Sequence, residues 1–199
     1  MSRIRTFIAV DLDKAVRHRT VVLQETLKES GTEVKWVEPE NLHVSLLFLG
    51  EVDEREIVDV CRIVAETAGQ YASFTMRVET AGCFPNPHRP RVLWVGVGEG
   101  KEALCAIHDD LETALLDLGF RREERKYSPH ITLGRVKSDR PTESLASALT
   151  EQAAWKGGEI QVEEVLQPRG CGRGAIRVEE IGRWVSRRVV LQNRADDRI

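Results

Sequence analysis

Two stretches of this sequence set an imidazole beside a hydroxyl: Leu42-His43-Val44-Ser45-Leu46-Leu47-Phe48-Leu49-Gly50 and Ser128-Pro129-His130-Ile131-Thr132-Leu133-Gly134-Arg135. Both are runs of β-favouring residues with Pro or Gly near their ends, so each reads as a strand. Alternation puts His43 and Ser45 on one face, and likewise His130 and Thr132. An imidazole moves a proton near neutral pH, and a hydroxyl beside it donates to an anionic oxygen. Two such pairs facing one another would hold a phosphate between two proton carriers. The bare pattern is not specific. His18-Arg19-Thr20 also fits it, but in a helical stretch where i and i+2 do not face each other. The strand context, met twice, singles out the other two.

Periodicity supplies the elements that must carry these pairs. Arg3 to Val10 alternates as a strand, and Asp11 or Asp13 can cap a helix running to about Glu29. Glu33 to Val37 is a short strand ahead of the first His strand, which Gly50 closes. Asp53-Glu54-Arg55-Glu56 has the form of a capping box opening a helix to about Gly69. Strands follow at Phe74 to Ala81 and Arg91 to Val97, separated by a segment with three prolines. A helix from Glu102 to Leu118 ends at Gly119, and the charged turn Arg121 to Lys126 leads to the second His strand. Pro141 at N1 opens a helix of Thr142 to Ala153, and strands are expected near Glu159–Leu166 and Ala175–Trp184. Each His strand is followed by a helix and further strand, as in a duplicated unit. The expectation is an α+β fold of two related lobes, two antiparallel sheets flanking a central groove with helices outside. One domain would span residues 1–185, followed by a polar, partly disordered tail at 186–199.

The whole chain narrows the function classes. Its 199 residues carry 41% hydrophobic and 31% charged side chains, an ordinary globular balance. No apolar run approaches the ~18 residues that span a bilayer, and no signal peptide precedes Asp11, so the cytoplasm is the expected compartment. Cys61, Cys83, Cys105 and Cys171 are widely spaced, which argues against both a zinc site and a disulfide framework. The net charge of −3 gives no global basic field, although residues 169–198 hold eight Arg against four acids. His108, between Ile107 and Asp109 on a helix, reads as structural; His88 lies in the proline-rich loop.

Arg5-Thr6-Phe7-Ile8-Ala9-Val10, Trp36-Val37, Pro39-Glu40-Asn41-Leu42-His43-Val44-Ser45-Leu46, Phe48-Leu49-Gly50, Pro90-Arg91-Val92-Leu93-Trp94-Val95 and Pro129-His130-Ile131-Thr132-Leu133-Gly134-Arg135 together resemble the two-histidine phosphoesterases. Within them the chain is most similar to the bacterial and archaeal RNA 2',3'-cyclic phosphodiesterases, also called 2'-5' RNA ligases, over about Arg3 to Val165. The resemblance implies that His43 and His130 are catalytic, and that Ser45 and Thr132 hold phosphate oxygens. It also assigns phosphate to Arg135, which strict alternation turns away from His130, so that role requires a bulge or the strand end. The implied reaction opens an RNA 2',3'-cyclic phosphate to a 2'-phosphate without metal or cofactor, and its reversal would join 2'-5' ends. Phe7, Phe48 and Trp36 are candidate stacking partners for a nucleobase, weighed against packing in the core. The family's closing Ser and Tyr strands have no counterpart in Leu166 to Arg177. The expected partner is an RNA or nucleotide with a cyclic phosphate end, met by a monomer. Another nucleotide substrate, such as a 2'-5' oligoadenylate or ADP-ribose cyclic phosphate, stays open, as does non-catalytic RNA-end binding. A zinc hydrolase would lack a third ligand.

Overall fold

The computed structural model describes residues 3–138, 143–162 and 189–194. Strand β1 (Arg3–Asp11) buries Thr6, Ile8 and Val10. Asp13 caps α1 (Lys14–Lys28), its carboxylate accepting the Val16 N–H at 2.7 Å. The helix buries Val16, Thr20, Leu23, Gln24 and Leu27, one stripe at helical spacing. Then come β2 (Val34–Trp36), β3 (His43–Asp53), α2 (Ile57–Ala68), β4 (Phe74–Phe84), β5 (Val92–Val97) and α3 (Lys101–Ala114). Gly119, at φ +84°, ends the turn after α3 in the left-handed conformation expected of it. β6 (His130–Val136), α4 (Glu143–Glu151), β7 (Lys156–Val162) and β8 (Val189–Arg194) complete the described chain.

The capping box expected at Asp53 does not form. Asp53 accepts the Arg55 N–H at 3.0 Å and the Arg55 guanidinium at 2.8 Å, so its carboxylate is engaged before the helix begins at Ile57. That Arg55 bond also holds the Asp53 carboxyl well below the usual carboxylate range. The strand expected near 175–184 lies outside the described residues. Within the stretch read as a polar tail, β8 pairs antiparallel with β1, where Val189-Val190-Leu191 supplies β-favouring residues.

Among the described residues all strand pairs are antiparallel, in the order β7-β4-β5-β6-β3-β1-β8, with β2 on β6. The two expected sheets are continuous at one point. β7-β4-β5-β6 and β3-β1-β8 join through the single pairing Val44↔Ile131. Helices cross between the halves: α1 packs on β7 and α4, whereas α3 packs on β3 and α2. Among the described residues no helix is long and apolar enough to cross a membrane.

Duplication shows in the register. Val10↔Val44 and Ala9↔Ser45 in the β1/β3 pair correspond to Val95↔Ile131 and Trp94↔Thr132 in the β5/β6 pair. Each pair then slips by one residue, Leu46 in β3 and Leu133 in β6, which are β-bulges at equivalent places. Both bulged leucines are buried, so burying two successive side chains there is what breaks the alternation. In β6 the second is Gly134, where a Cβ would lie 2.6 Å from Val34 Cγ1 and 3.1 Å from the Lys35 carbonyl oxygen. Only a residue without a Cβ lets β2 come this close.

Candidate active site

Val44 and Ile131 are paired and both turn into the core. Their neighbours therefore turn the other way. One step along the antiparallel register sets His43 across from Thr132, and Ser45 across from His130. Each imidazole thus faces the hydroxyl of the other motif. In a continuous ladder, cross-strand neighbours stand about 5 Å apart and diagonal ones roughly 7–8 Å. This four-cornered arrangement groups two proton carriers with two hydroxyls.

Each ring has a hydrogen-bond partner and an aromatic neighbour. His130 Nδ1 lies 2.7 Å from the Ser128 carbonyl oxygen, a pure acceptor. That bond puts the neutral ring's proton on Nδ1 and makes Nε2 the acceptor. The edge of Phe84 meets the His130 ring at 5.3 Å between centroids. His43 Nε2 is 3.1 Å from Ser45 Oγ, and Phe7 stacks on the ring at 4.8 Å and 25°. Ahead of His43, Arg17 on α1 donates to the Pro39 and Leu42 carbonyls and to the Asp11 carboxylate, which pins the chain entering β3.

Likeness to known proteins extends far beyond these four residues. The family model described as the 2'-5' RNA ligase superfamily matches residues 9–166. The chain belongs to that superfamily. The RNA 2',3'-cyclic phosphodiesterase of Methanothermobacter thermautotrophicus is 40% identical over 167 residues, 84% of this chain and 90% of that one. Its counterpart from Archaeoglobus fulgidus is 38% identical over 184 residues, 89% of this chain and 100% of the relative. Among solved structures, a Thermus thermophilus protein is 29% identical with a TM-score of 0.66, covering 79% of this chain and 84% of its own. Escherichia coli LigT in complex with 3'-AMP is 26% identical with a TM-score of 0.55, over 72% and 82%. As a member of the 2'-5' RNA ligase superfamily, with the two-histidine phosphoesterase fold, the chain is a hydrolase of the cyclic phosphodiesterase kind.

For this superfamily member, the two bulges decide which further side chains reach the site. Past Leu133 the register sets Arg135 opposite Val92, on the face of Trp94 and Thr132, and leaves it exposed. That is the bulge its expected role required. Past Leu46 the equivalent place is taken by Phe48, opposite Phe7. Phe48 is 50% exposed, so it is not a core residue, and the Arg5 guanidinium lies 5.2 Å from its ring centroid. Trp36 is not brought to the site: it pairs with Gly134 on the inner side, with Lys28 Nζ 5.8 Å from its ring. His18 is exposed on α1, and His88 stays in the exposed loop after β4.

Two carbonyls beside the β3 bulge are held by side chains the sequence does not point to. Tyr127 donates its hydroxyl to the Ser45 carbonyl at 2.8 Å, and His108 Nδ1 donates to the Leu46 carbonyl at 2.7 Å. The two rings stack at 4.1 Å and 9°. Burial pushes the Tyr127 hydroxyl's pKa well up, so it remains a donor. The β6 bulge is held alike: buried Gln24 on α1 donates from Nε2 to the Leu133 and Val37 carbonyls, each at 2.9 Å. A buried Gln at 3% exposure and a buried His at 4% are the kind of signal that marks such roles, once burial is known.

Proposed function

We propose that this chain hydrolyses the 2',3'-cyclic phosphate at the end of an RNA to a 2'-phosphate, with His43 and His130 as the acid–base pair. The observation that carries the reading is the diagonal placement of two imidazoles, each opposite the other motif's hydroxyl. A cyclic phosphodiester needs an entering oxygen and a leaving oxygen roughly in line at phosphorus. His130, with its proton fixed on Nδ1, takes the proton of water at Nε2. His43 in its charged form gives a proton to the departing 3'-oxygen, and the pair is reset by exchanging one proton with solvent. Ser45 and Thr132 donate to the non-bridging oxygens, where Arg135 adds charge. Phe7, stacked behind His43, offers its face to the terminal base. With an RNA 5'-hydroxyl in place of water, the reverse sequence forms a 2'-5' bond. The deciding experiment incubates the protein with adenosine 2',3'-cyclic monophosphate and cyclic-ended oligonucleotides and identifies the product. A 2'-phosphate is expected; a 3'-phosphate would exchange the leaving oxygen, and no turnover would end the reading.

Because both proton transfers are assigned to imidazoles, the reading has no step for a metal ion. Among the described residues no three His, Cys, Asp or Glu side chains cluster as metal ligands do. Chelation with EDTA is expected to leave the hydrolysis rate within about twofold of the untreated enzyme. Loss of activity restored by one divalent ion would replace this mechanism with a metal-assisted one.

A further inference from the structure

We propose that the Phe48 end of the groove is a second subsite, which takes the base and phosphate of the nucleotide on the 5' side of the cyclic end. The subsite rests on the hydrolysis reading above. From Leu46 onward, the edge of β3 away from β1 has no strand partner among the described residues. Between the Leu47–Gly50 stretch of that edge and Glu112, Phe120 and Arg121 lies a cavity of about 270 Å³. Phe48 also lines it, with Arg5 on its ring. Glu112 is already engaged, accepting the Glu123 N–H at 2.6 Å and lying 4.0 Å from Arg122. Arg5 and Arg121 meet no acid among the described residues. Two aromatic rings and two unanswered guanidiniums suit a stacked base and its phosphodiester.

The register makes it the neighbour's site, beside that of the terminal base. Phe7 touches the His43 ring, and Phe48 lies across from Phe7 in the β1/β3 pair, with the cavity along the β3 edge away from β1. A nucleotide closed as a 2',3'-cyclic phosphate continues only through its 5'-oxygen, so the chain leaving the histidines is the 5' side. The test compares kcat/KM for adenosine 2',3'-cyclic monophosphate and for the adenosine dinucleotide with the same end. The dinucleotide is expected to be favoured roughly tenfold, because stacking one base is worth about 5- to 100-fold. Phe48→Ala and Arg121→Ala should each pull that ratio towards one; both side chains are exposed enough for the fold to survive. The dinucleotide's log-rate against log-salt slope should be steeper by about 0.7 for the one extra phosphate, and Arg121→Ala should reduce it. A ratio near one in the native enzyme, or a ratio neither variant moves, overturns the subsite while leaving hydrolysis intact. Failure to turn over either compound ends the hydrolysis reading, and the subsite with it.

The paired clamps on the bulges carry a second inference independently: Gln24, and Tyr127 with His108, are positioning residues that hold Arg135 and Phe48 in phase with the histidines. Each bulge carbonyl is bonded by a buried side chain from the helix that crosses over from the other half, Gln24 on α1 and His108 on α3. A lost clamp lets the bulge relax, and the residue three places after the hydroxyl leaves the groove face. The test is a pair of double-mutant cycles. Arg135→Ala should lower kcat/KM about tenfold in the native enzyme and less than twofold in a Gln24→Met background. Phe48→Ala should change the dinucleotide ratio in the native enzyme and not in His108→Phe, which removes the bond to the Leu46 carbonyl and keeps a ring stacked on Tyr127. Full effects of Arg135→Ala and Phe48→Ala in both backgrounds would reduce the clamps to structural contacts.

Discussion

His43→Ala, His130→Ala and the double variant are expected to lose activity to a similar floor. Each proton transfer is worth about 10²–10⁴-fold, yet both serve one transition state, so removing the second imidazole after the first takes away little more. The native enzyme should show a bell-shaped pH dependence, since one imidazole must be neutral while the other is charged. Each single variant should lose one limb of the bell, the alkaline limb with His43, the donor, and the acid limb with His130, the acceptor. The measurement is kcat/KM against pH for all four proteins on one cyclic phosphate, with the thermal midpoint checked for each. Neither imidazole is deep in the core, so stability should change by less than about 2 kcal/mol. Near-native turnover by folded His130→Ala would remove it from partnership with His43.

The facing of the two motifs was legible because the chemistry sits on strands, where alternation ties His43 to Ser45 and His130 to Thr132 without tertiary knowledge. That they share one face follows from the single pairing Val44↔Ile131, which the sequence suggests only through duplication. The bulges at Leu46 and Leu133 were not legible. A bulge is a property of two strands in register, and nothing in Ser45-Leu46-Leu47-Phe48 names its partner. Strict alternation therefore turned Arg135 outward and left Phe48 undecided between core and groove. Tyr127 was missed for a related reason: its bond to the Ser45 carbonyl joins residues 82 positions apart. At Asp53 the local pattern misled outright, because a cap-x-x-Glu spacing cannot reveal that Arg55 captures the carboxylate first. The segment from Leu166 to Arg177, where the family's closing strands are not recognisable, lies outside the described residues.

Thr132→Val and Ser45→Ala are expected to reduce kcat/KM by about 10²–10³-fold, less than the histidine changes. Each removes a hydroxyl aimed at charge on phosphate, the kind of donor worth about 2.7–4 kcal/mol when fixed in place. Thr132→Val keeps the shape of the side chain and loses only the donor, so a fall there cannot be laid to a cavity. Thr132→Ser restores the donor and should recover most of the rate. Ser45 differs in one respect, since its hydroxyl lies 3.1 Å from His43 Nε2. Part of its loss should therefore appear as a shift of the pH limb that His43 carries, whereas Thr132→Val should lower the whole bell without moving its edges. Both losses belong in kcat more than in KM, because the charge they meet grows on the way to the transition state. An unchanged kcat with a raised KM would make these hydroxyls ground-state binders only. It would also shift transition-state stabilisation onto Arg135, whose Ala variant would then have to show the larger fall.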